Sequence, residues 1–332
     1  MTRRSEPDDP SERSGSDSRI EESPRPAVSV VVTTYDRPTY LPEAVATVAE
    51  QTYDPVELIV VDDASPTPAS EVVSADEYEF SAFEVVRHDE NRGPNAARNT
   101  GVEAASGEYI AFLDDDDRWH PEKLERQVAR FEAADGDLGV VSTGWKRVRD
   151  GTTEEVWLPP EIDGDVTKAL LCRNVVGTQS AVMVRASVAK RVPLDERFPR
   201  WADQEWYVSL STECGFDRIR EPLVVHEFET HNRITDDTAK LYEAHRLFVE
   251  KYLPLAADYG PVMERKMRGW ADFRVGKPLL RMGEYRMARR FLTSAVRWYP
   301  LEPRFYAYAG SSLGGRWTHS AARSLNELTP LG

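Results

Sequence analysis

The sequence predicts an α/β protein in which a mostly parallel sheet is flanked by helices and followed by a helical C-terminal region. Two continuous β-branched runs, Val28–Val32 and Val56–Val61, have the length and composition of strands buried on both faces. Helix-period segments with short links alternate with such runs, the pattern of parallel strands joined by crossover helices. From Thr238 onward the spacing of apolar residues is helical almost throughout.

Residues 1–26 are Ser, Pro, Arg, Asp and Glu with almost nothing apolar, and read as a disordered leader without a secretory signal. After the strand at Val28–Val32, Pro38 and Pro42 punctuate a turn, and Leu41, Val45 and Val48 recur at helical spacing. Val56–Val61 runs into Asp62-Asp63-Ala64-Ser65-Pro66, and Phe83–Arg87 reads as a third strand. Gly93-Pro94 opens an Ala-rich helix to about Ala105, with Pro at a favoured first helical position. Tyr109–Leu113 is a fourth strand entering Asp114–Asp117, Pro121 begins a helix with Leu124, Val128 and Phe131 on one face, and Leu138–Ser142 is a fifth strand. Residues 152–235, with Trp157, Trp201 and Trp206, read as an α+β elaboration closing over the sheet, so the α/β unit spans 27–237. Residues 238–332 form a helical, basic C-terminal region, with Arg265–Met282 and Glu284–Tyr299 separated at Gly283. The pattern from Gly283 to Pro300 resembles one tetratricopeptide-like helical hairpin, and one unit does not make a solenoid.

With 332 residues, 40% hydrophobic and 30% charged, the chain can build a core, which excludes wholesale disorder. Its two cysteines, Cys172 and Cys214, exclude a disulfide framework and a four-cysteine zinc site. No run approaches the roughly 18 apolar residues of a membrane span, so the expected compartment is the cytoplasm. The net charge is -15 but uneven: residues 262–332 hold 13 Lys and Arg against 5 Asp and Glu, which leaves -23 on residues 1–261. A body that acidic repels nucleic acid and excludes a general nucleic-acid binder. Only 8 of the 42 cations are lysine. An acid-rich, lysine-poor surface is similar to that of proteins from salt-loving archaea, where concentrated salt screens self-repulsion.

In an open parallel sheet, ligands bind outside the carboxyl ends of the strands. Three polar clusters fall at such ends: Thr33-Thr34-Tyr35-Asp36-Arg37, Asp62-Asp63 and Asp114–Asp117. Four adjacent carboxylates repel one another unless a cation sits among them, and oxygen ligands of this kind suit Mg²⁺ or Mn²⁺ carried with substrate phosphates. The same run also fits a solvated acidic turn. Asp62-Asp63 before Ala-Ser-Pro is ordinary turn chemistry, or a site where Asp63 accepts hydrogen bonds from a nucleobase edge. Arg92–Asn99 starts a helix whose free N–H groups and Arg98 suit a nucleotide, or is a capped surface helix. Other motifs fail: His226 and His231 are spaced by five rather than four, which excludes a zincin, and Gly310–Gly315 follows no strand.

Val28–Tyr35, Leu58–Ser65, Asn91–Asn99 and Gly107–Asp117 in this succession resemble the family 2 glycosyltransferases of the GT-A fold, over about residues 27–235. The resemblance implies that the Asp run is an Asp-x-Asp motif, with Asp116 ligating the metal and Asp114 and Asp115 supporting it or holding the ribose; four successive Asp leave the register open by one position. It implies that Asp63 reads the base and that Thr33 and Tyr35 line the nucleotide pocket. It places the catalytic base in Trp201-Ala202-Asp203-Gln204-Glu205-Trp206, on Asp203, with Glu205 in reserve because the usual acidic pair is Asp-Gln here. His231-Asn232-Arg233 resembles the segment closing on the diphosphate. The expected reaction is an inverting transfer of a sugar, with a hexuronic acid a plausible donor unit, from a nucleotide-diphosphate sugar.

Composition and resemblance together point to archaeal enzymes that extend dolichyl-phosphate-linked glycans for N-glycosylation of S-layer glycoprotein, working at the cytoplasmic face of the cell membrane. The terminal region, with Trp270, Phe273, Trp298, Tyr299, Phe305, Tyr306 and Trp317 among arginines, suits an anionic membrane surface, or is a packed core with a solvated cationic face. Exopolysaccharide synthesis and a non-catalytic interaction protein with a helical adaptor tail are the alternatives. A nucleotidyltransferase would need a Gly-rich loop with Lys after the first strand, which Thr33–Arg37 lacks.

Overall fold

A computed structural model describes residues 27–134, 136–149, 151–161, 165–227 and 237–313. Its elements run β1 (Val28–Thr34), α1 (Leu41–Ala49), β2 (Val56–Asp62), β3 (Ala82–Arg87), α2 (Pro94–Ala104), β4 (Tyr109–Asp114), β5 (Asp117–Trp119), α3 (Lys123–Glu132), β6 (Leu138–Arg149) and β7 (Thr152–Trp157). Then come α4 (Thr167–Leu170), β8 (Val182–Arg185), α5 (Ala186–Arg191), α6 (Ala202–Ser211), β9 (Gly215–Glu227), α7 (Thr238–Asp258), α8 (Pro261–Arg281), α9 (Tyr285–Trp298) and α10 (Pro303–Ser311).

One mixed sheet has the order β3-β2-β1-β4-β8-β6-β9-β5, with β7 paired to β6. The first four strands are mutually parallel, β6 is parallel to β9, and β8 lies antiparallel between β4 and β6. The mostly parallel sheet expected from sequence is therefore present, with β5, β7 and β8 as its reversed strands. β8 is four residues long and fully apolar but for its last, too short to show a period.

Side chains alternate across the sheet. Val31, Ile59, Val61, Ile110 and Phe112 face one core, whereas Val30, Val32, Leu58, Val60, Ala111 and Leu113 face the other with α1 and α3. Both faces are covered, which is why these strands read as continuous apolar runs. α2 seats directly on β1 because Gly101 has no side chain; a Cβ there would lie 2.2 Å from Val31 Cγ1. Gly283, at φ +82°, breaks α8 from α9 where the sequence placed the division.

The C-terminal helices are continuous with the sheet's first core: Phe248, Trp270, Leu279, Leu292 and Phe305 belong to the same buried cluster as Val31 and Phe112. Of the seven terminal aromatics expected either at a surface or in a packed core, three take the packed-core alternative. Trp270, Phe273 and Phe305 are buried against one another, with ring centroids 5.0–5.5 Å apart, because the helical period turns them inward. Trp298 and Tyr306 remain exposed, and Trp317 lies outside the described residues, as does the leader. Among the described residues no helix is long and apolar enough to cross a membrane.

Candidate active site

The parallel registers pair Thr34 with Asp62 and Thr33 with Asp114, so β1, β2 and β4 end level with one another. This brings the three polar clusters to one sheet edge. The four Asp residues then diverge. Asp114 closes β4, receives the Arg98 guanidinium from α2, and its N–H donates to Ser180 Oγ at 3.0 Å. Asp115 turns inward, 5% exposed, and accepts from Thr34 Oγ1 at 2.7 Å and Arg37 Nη1 at 2.9 Å. Burial pushes its carboxyl up to about 6 against the pull of Arg37. Asp116 stays outside, its side chain 45% exposed, 2.7 Å from Arg37 Nη1. Asp117 is buried, accepting from Ser180 Oγ at 2.6 Å and pairing with His226 Nδ1. Burial opposes the charge on His226, but Asp117 holds the imidazolium above the ordinary histidine range.

Among the described residues no three His, Cys, Asp or Glu side chains already form a metal cage. A hard divalent ion that arrives with a nucleotide needs only one or two carboxylates, its other ligands being phosphate and water. Asp114 and Asp116, one third and nearly half exposed, are the two members of the run with oxygens left toward solvent, so the donor set fits such an ion.

Asp62 and Asp63 part in the same way. Asp62 is fully buried and accepts from the N–H groups of Ser65 and Ala69 and from Arg87, holding the turn after β2. The Asp63 carboxylate accepts from the N–H groups of Arg92 (2.8 Å) and Gly93 (2.7 Å), and His88 Nδ1 lies 2.7 Å from it. Asp63 thus anchors the entry to α2 and takes up N–H groups that the sequence left free for a ligand. Thr33 is half-buried on β1, and Tyr35 is exposed in the loop beyond it. Arg98 is buried rather than presented to solvent, and its partner is Asp114.

Asp203 lies on the first turn of α6, whose preceding residue Trp201 is left-handed at φ 61°. Its Oδ1 accepts from Gln204 N–H at 2.7 Å and its Oδ2 from Asn174 Nδ2 at 2.9 Å. Burial raises the carboxyl above its usual range, opposed by these bonds and by the charges of Arg274 and Arg98. Arg98 therefore acts on Asp114 and Asp203 together, and the Tyr207 phenol feels all three. Glu205 faces the other way: its Oε1 receives Lys251 Nζ and Tyr252 Oη, each at 2.6 Å, which ties α6 to α7. His231 and Arg233 lie outside the described residues.

Among the site residues that the sequence does not single out are Thr34, Arg37, Asn174, His226 and Arg274. Thr34 and Arg37 lie in the polar cluster after β1, beside Thr33 and Tyr35. Asn174 precedes Gly177 in a turn, His226 appeared only in a rejected zinc motif, and Arg274 is one arginine among many on a helix. Only the first two carried a signal that could have been read.

Residues 29–191 match the model of glycosyl transferase family 2. A glycosyltransferase of Methanocaldococcus jannaschii is 27% identical over 234 residues, covering 69% of this chain and 80% of that protein. The amylovoran biosynthesis glycosyltransferase of Erwinia amylovora is 28% identical over 142 residues, 40% of this chain and 46% of its own. The 1–349 portion of S. aureus TarS superposes at TM-score 0.60 with 20% identity, covering 90% of this chain and 87% of that one. A mannosyltransferase from Pyrobaculum calidifontis, solved with GDP-Man and Mn²⁺, superposes at 0.56 with 17% identity over 93% and 88%. The mixed sheet with its flanking helices is a GT-A-like fold, and residues 29–191 within it are similar to glycosyl transferase family 2.

Proposed function

We propose that the protein is an inverting, metal-dependent glycosyltransferase that moves a sugar from a nucleotide-diphosphate sugar to a hydroxyl of a lipid-linked saccharide. The observation that carries this reading is the Arg98 guanidinium, which holds Asp114 and whose charge also acts on the half-buried Asp203. A leaving-group site and a base are thereby kept on one sheet edge.

Asp203 is the base. Its orientation is set by Asn174 and the Gln204 N–H, and partial burial strengthens its proton affinity, as a general base requires. As Asp203 takes the hydroxyl proton, the acceptor oxygen bonds to the anomeric carbon from the face opposite the diphosphate while the carbon–diphosphate bond breaks, which inverts that centre. Asp116 and Asp114 would hold a divalent ion, Mg²⁺ or Mn²⁺, which when bound supplies Lewis-acid neutralisation of the diphosphate. Support for the ion comes from the donor set and from the Mn²⁺ in the Pyrobaculum structure. Thr33, Tyr35, Asp63 and Asp115 are the nucleotide-side residues of this reading, and His231 and Arg233 its diphosphate clamp.

The acceptor we favour is a dolichyl-phosphate-linked saccharide at the cytoplasmic membrane face, feeding N-glycosylation of a surface glycoprotein, with a hexuronic acid as the sugar moved. Its support is compositional, together with an exposed apolar set at one end of the helices. Val262 on the first turn of α8 and Trp298 and Leu301 at and just beyond the end of α9 are exposed, and Arg265 Nε donates to the Trp298 carbonyl at 3.1 Å. Exopolysaccharide synthesis is the second reading, favoured by the likeness to the Erwinia protein.

The test is a panel of sugar nucleotides incubated with Mg²⁺ or Mn²⁺, with and without extracted polyprenyl-linked glycans. Turnover that requires the ion and grows with the lipid-linked acceptor is expected. Asp116→Ala should abolish metal-dependent turnover, and undiminished activity in chelator removes the ion from the scheme.

A further inference from the structure

Arg274 stands in the middle of α8, beyond the family-matched residues, yet it reaches the surroundings of Asp203. Its Nη2 donates to the Cys172 carbonyl at 3.0 Å, and its guanidinium lies over the rings of Trp201 and Phe248, 4.5 and 4.8 Å from their centroids. The Cys172 and Trp201 contacts fall on the two segments that hold Asp203. Cys172 is two residues before Asn174, whose amide bonds Asp203 Oδ2, and Trp201 sets the start of α6. Nη1 is buried without a hydrogen-bond partner among the described residues. A charge enclosed this way is costly unless an anion lies near, and the negative charge of Asp203 acts in its favour. Burial still lowers the guanidinium to about 10.

We infer that Arg274 is a positioning residue for Asp203: it braces the two segments that orient the carboxylate and places a buried positive charge beside them. The inference rests on the reading of Asp203 as base. The charged and titratable groups facing Asp203 are Arg274 from α8, Arg98 from α2 and the Tyr207 phenol from α6. Arg98 divides its charge between Asp114 and Asp203, whereas Arg274 pairs with no other carboxylate among the described residues. α8 is thereby part of the reaction centre.

The experiment follows the Asp203 carboxyl by ¹³C NMR in full-length protein labelled at aspartate, with Asp203→Asn giving the assignment. In Arg274→Gln the Asp203 midpoint should rise by about one pH unit or more, since removing an opposite charge disfavours the ionised form. The acid limb of kcat/KM should move the same way, with kcat down about 10- to 100-fold and the donor KM near wild type. Arg274→Lys keeps the charge but not the planar contacts, so its midpoint should stay near wild type while kcat remains reduced. A folded Arg274→Gln protein with an unmoved Asp203 midpoint overturns the inference. Should that variant fail to fold, Arg274→Lys decides, and wild-type kcat with a wild-type pH profile overturns it. If no sugar nucleotide is turned over by the unaltered protein, the transfer reading fails, while the titration still reports whether the two side chains are coupled.

Discussion

Asp203 and Glu205 sit two positions apart on the first turn of α6 and meet opposite fates. The helical turn points Asp203 toward Asn174 and Arg98, and Glu205 toward Lys251 and Tyr252. Asp203→Asn should keep nucleotide binding, read by calorimetry, while transfer falls about 10²- to 10⁴-fold; wild-type turnover would reassign the base. Glu205→Gln should act on stability instead, lowering it by about 1–3 kcal/mol in urea titrations by weakening the bonds to Lys251, its side chain one third exposed, and to the buried Tyr252, with kcat preserved. Lys123 is a different case. It is fully buried over the Trp119 ring, with Gln127 Oε1 at 2.8 Å, and burial drives its amine well below the ordinary lysine value. The unfolded chain then holds a proton that the folded chain lacks, so this group makes stability rise with pH between its folded value and about 10.5. Lys123→Met should abolish that alkaline rise and gain about 1 kcal/mol at neutral pH, checked by urea unfolding from pH 7 to 10.

At the scale of elements, α2 links Asp114 with Asp203 through Arg98. Its position on the sheet depends on the missing side chain at Gly101, and its start on Asp63, which takes the N–H groups of Arg92 and Gly93. Three residues before Gly101, Arg98 projects to Asp114. Gly101→Ala should therefore lift α2 from Val31, cost about 1–3 kcal/mol by overpacking, and lower turnover with it. Thermal unfolding and the transfer assay on the same preparation check both effects; a stable variant with weakened activity would separate them.

For the whole molecule, the C-terminal helices are neither a loose tail nor a detachable adaptor. They bury Phe248, Trp270, Leu279 and Phe305 in the core shared with β1 and β4, and Lys251 and Arg274 cross to α6 and to the turn after α4. A chain ending at residue 237 would bare that apolar face. Such a truncation should aggregate or bind hydrophobic dye, and a monomeric, cooperatively unfolding product would show that the α/β part stands alone.

The strands and helices were legible because burial on both sheet faces forces unbroken apolar runs, and the flush ends of β1, β2 and β4 follow from parallel pairing of runs that each stop at polar residues. The Asp run announced its place at a strand end, and so did Asp63. What the four aspartates each do was not legible. Adjacent side chains of one composition diverge according to which partner, Arg98, Thr34, Arg37 or His226, comes within reach, and those partners lie 16 to 109 positions away in the chain. The same holds for β8, too short to carry a period, and for Arg274, whose helix shows an apolar face but not the carboxylate opposite. Local periodicity, with the chemistry of strand ends, settles from sequence where a functional edge lies; only tertiary packing decides which charges face one another there, because a charge's state depends on every neighbour that removes water from it.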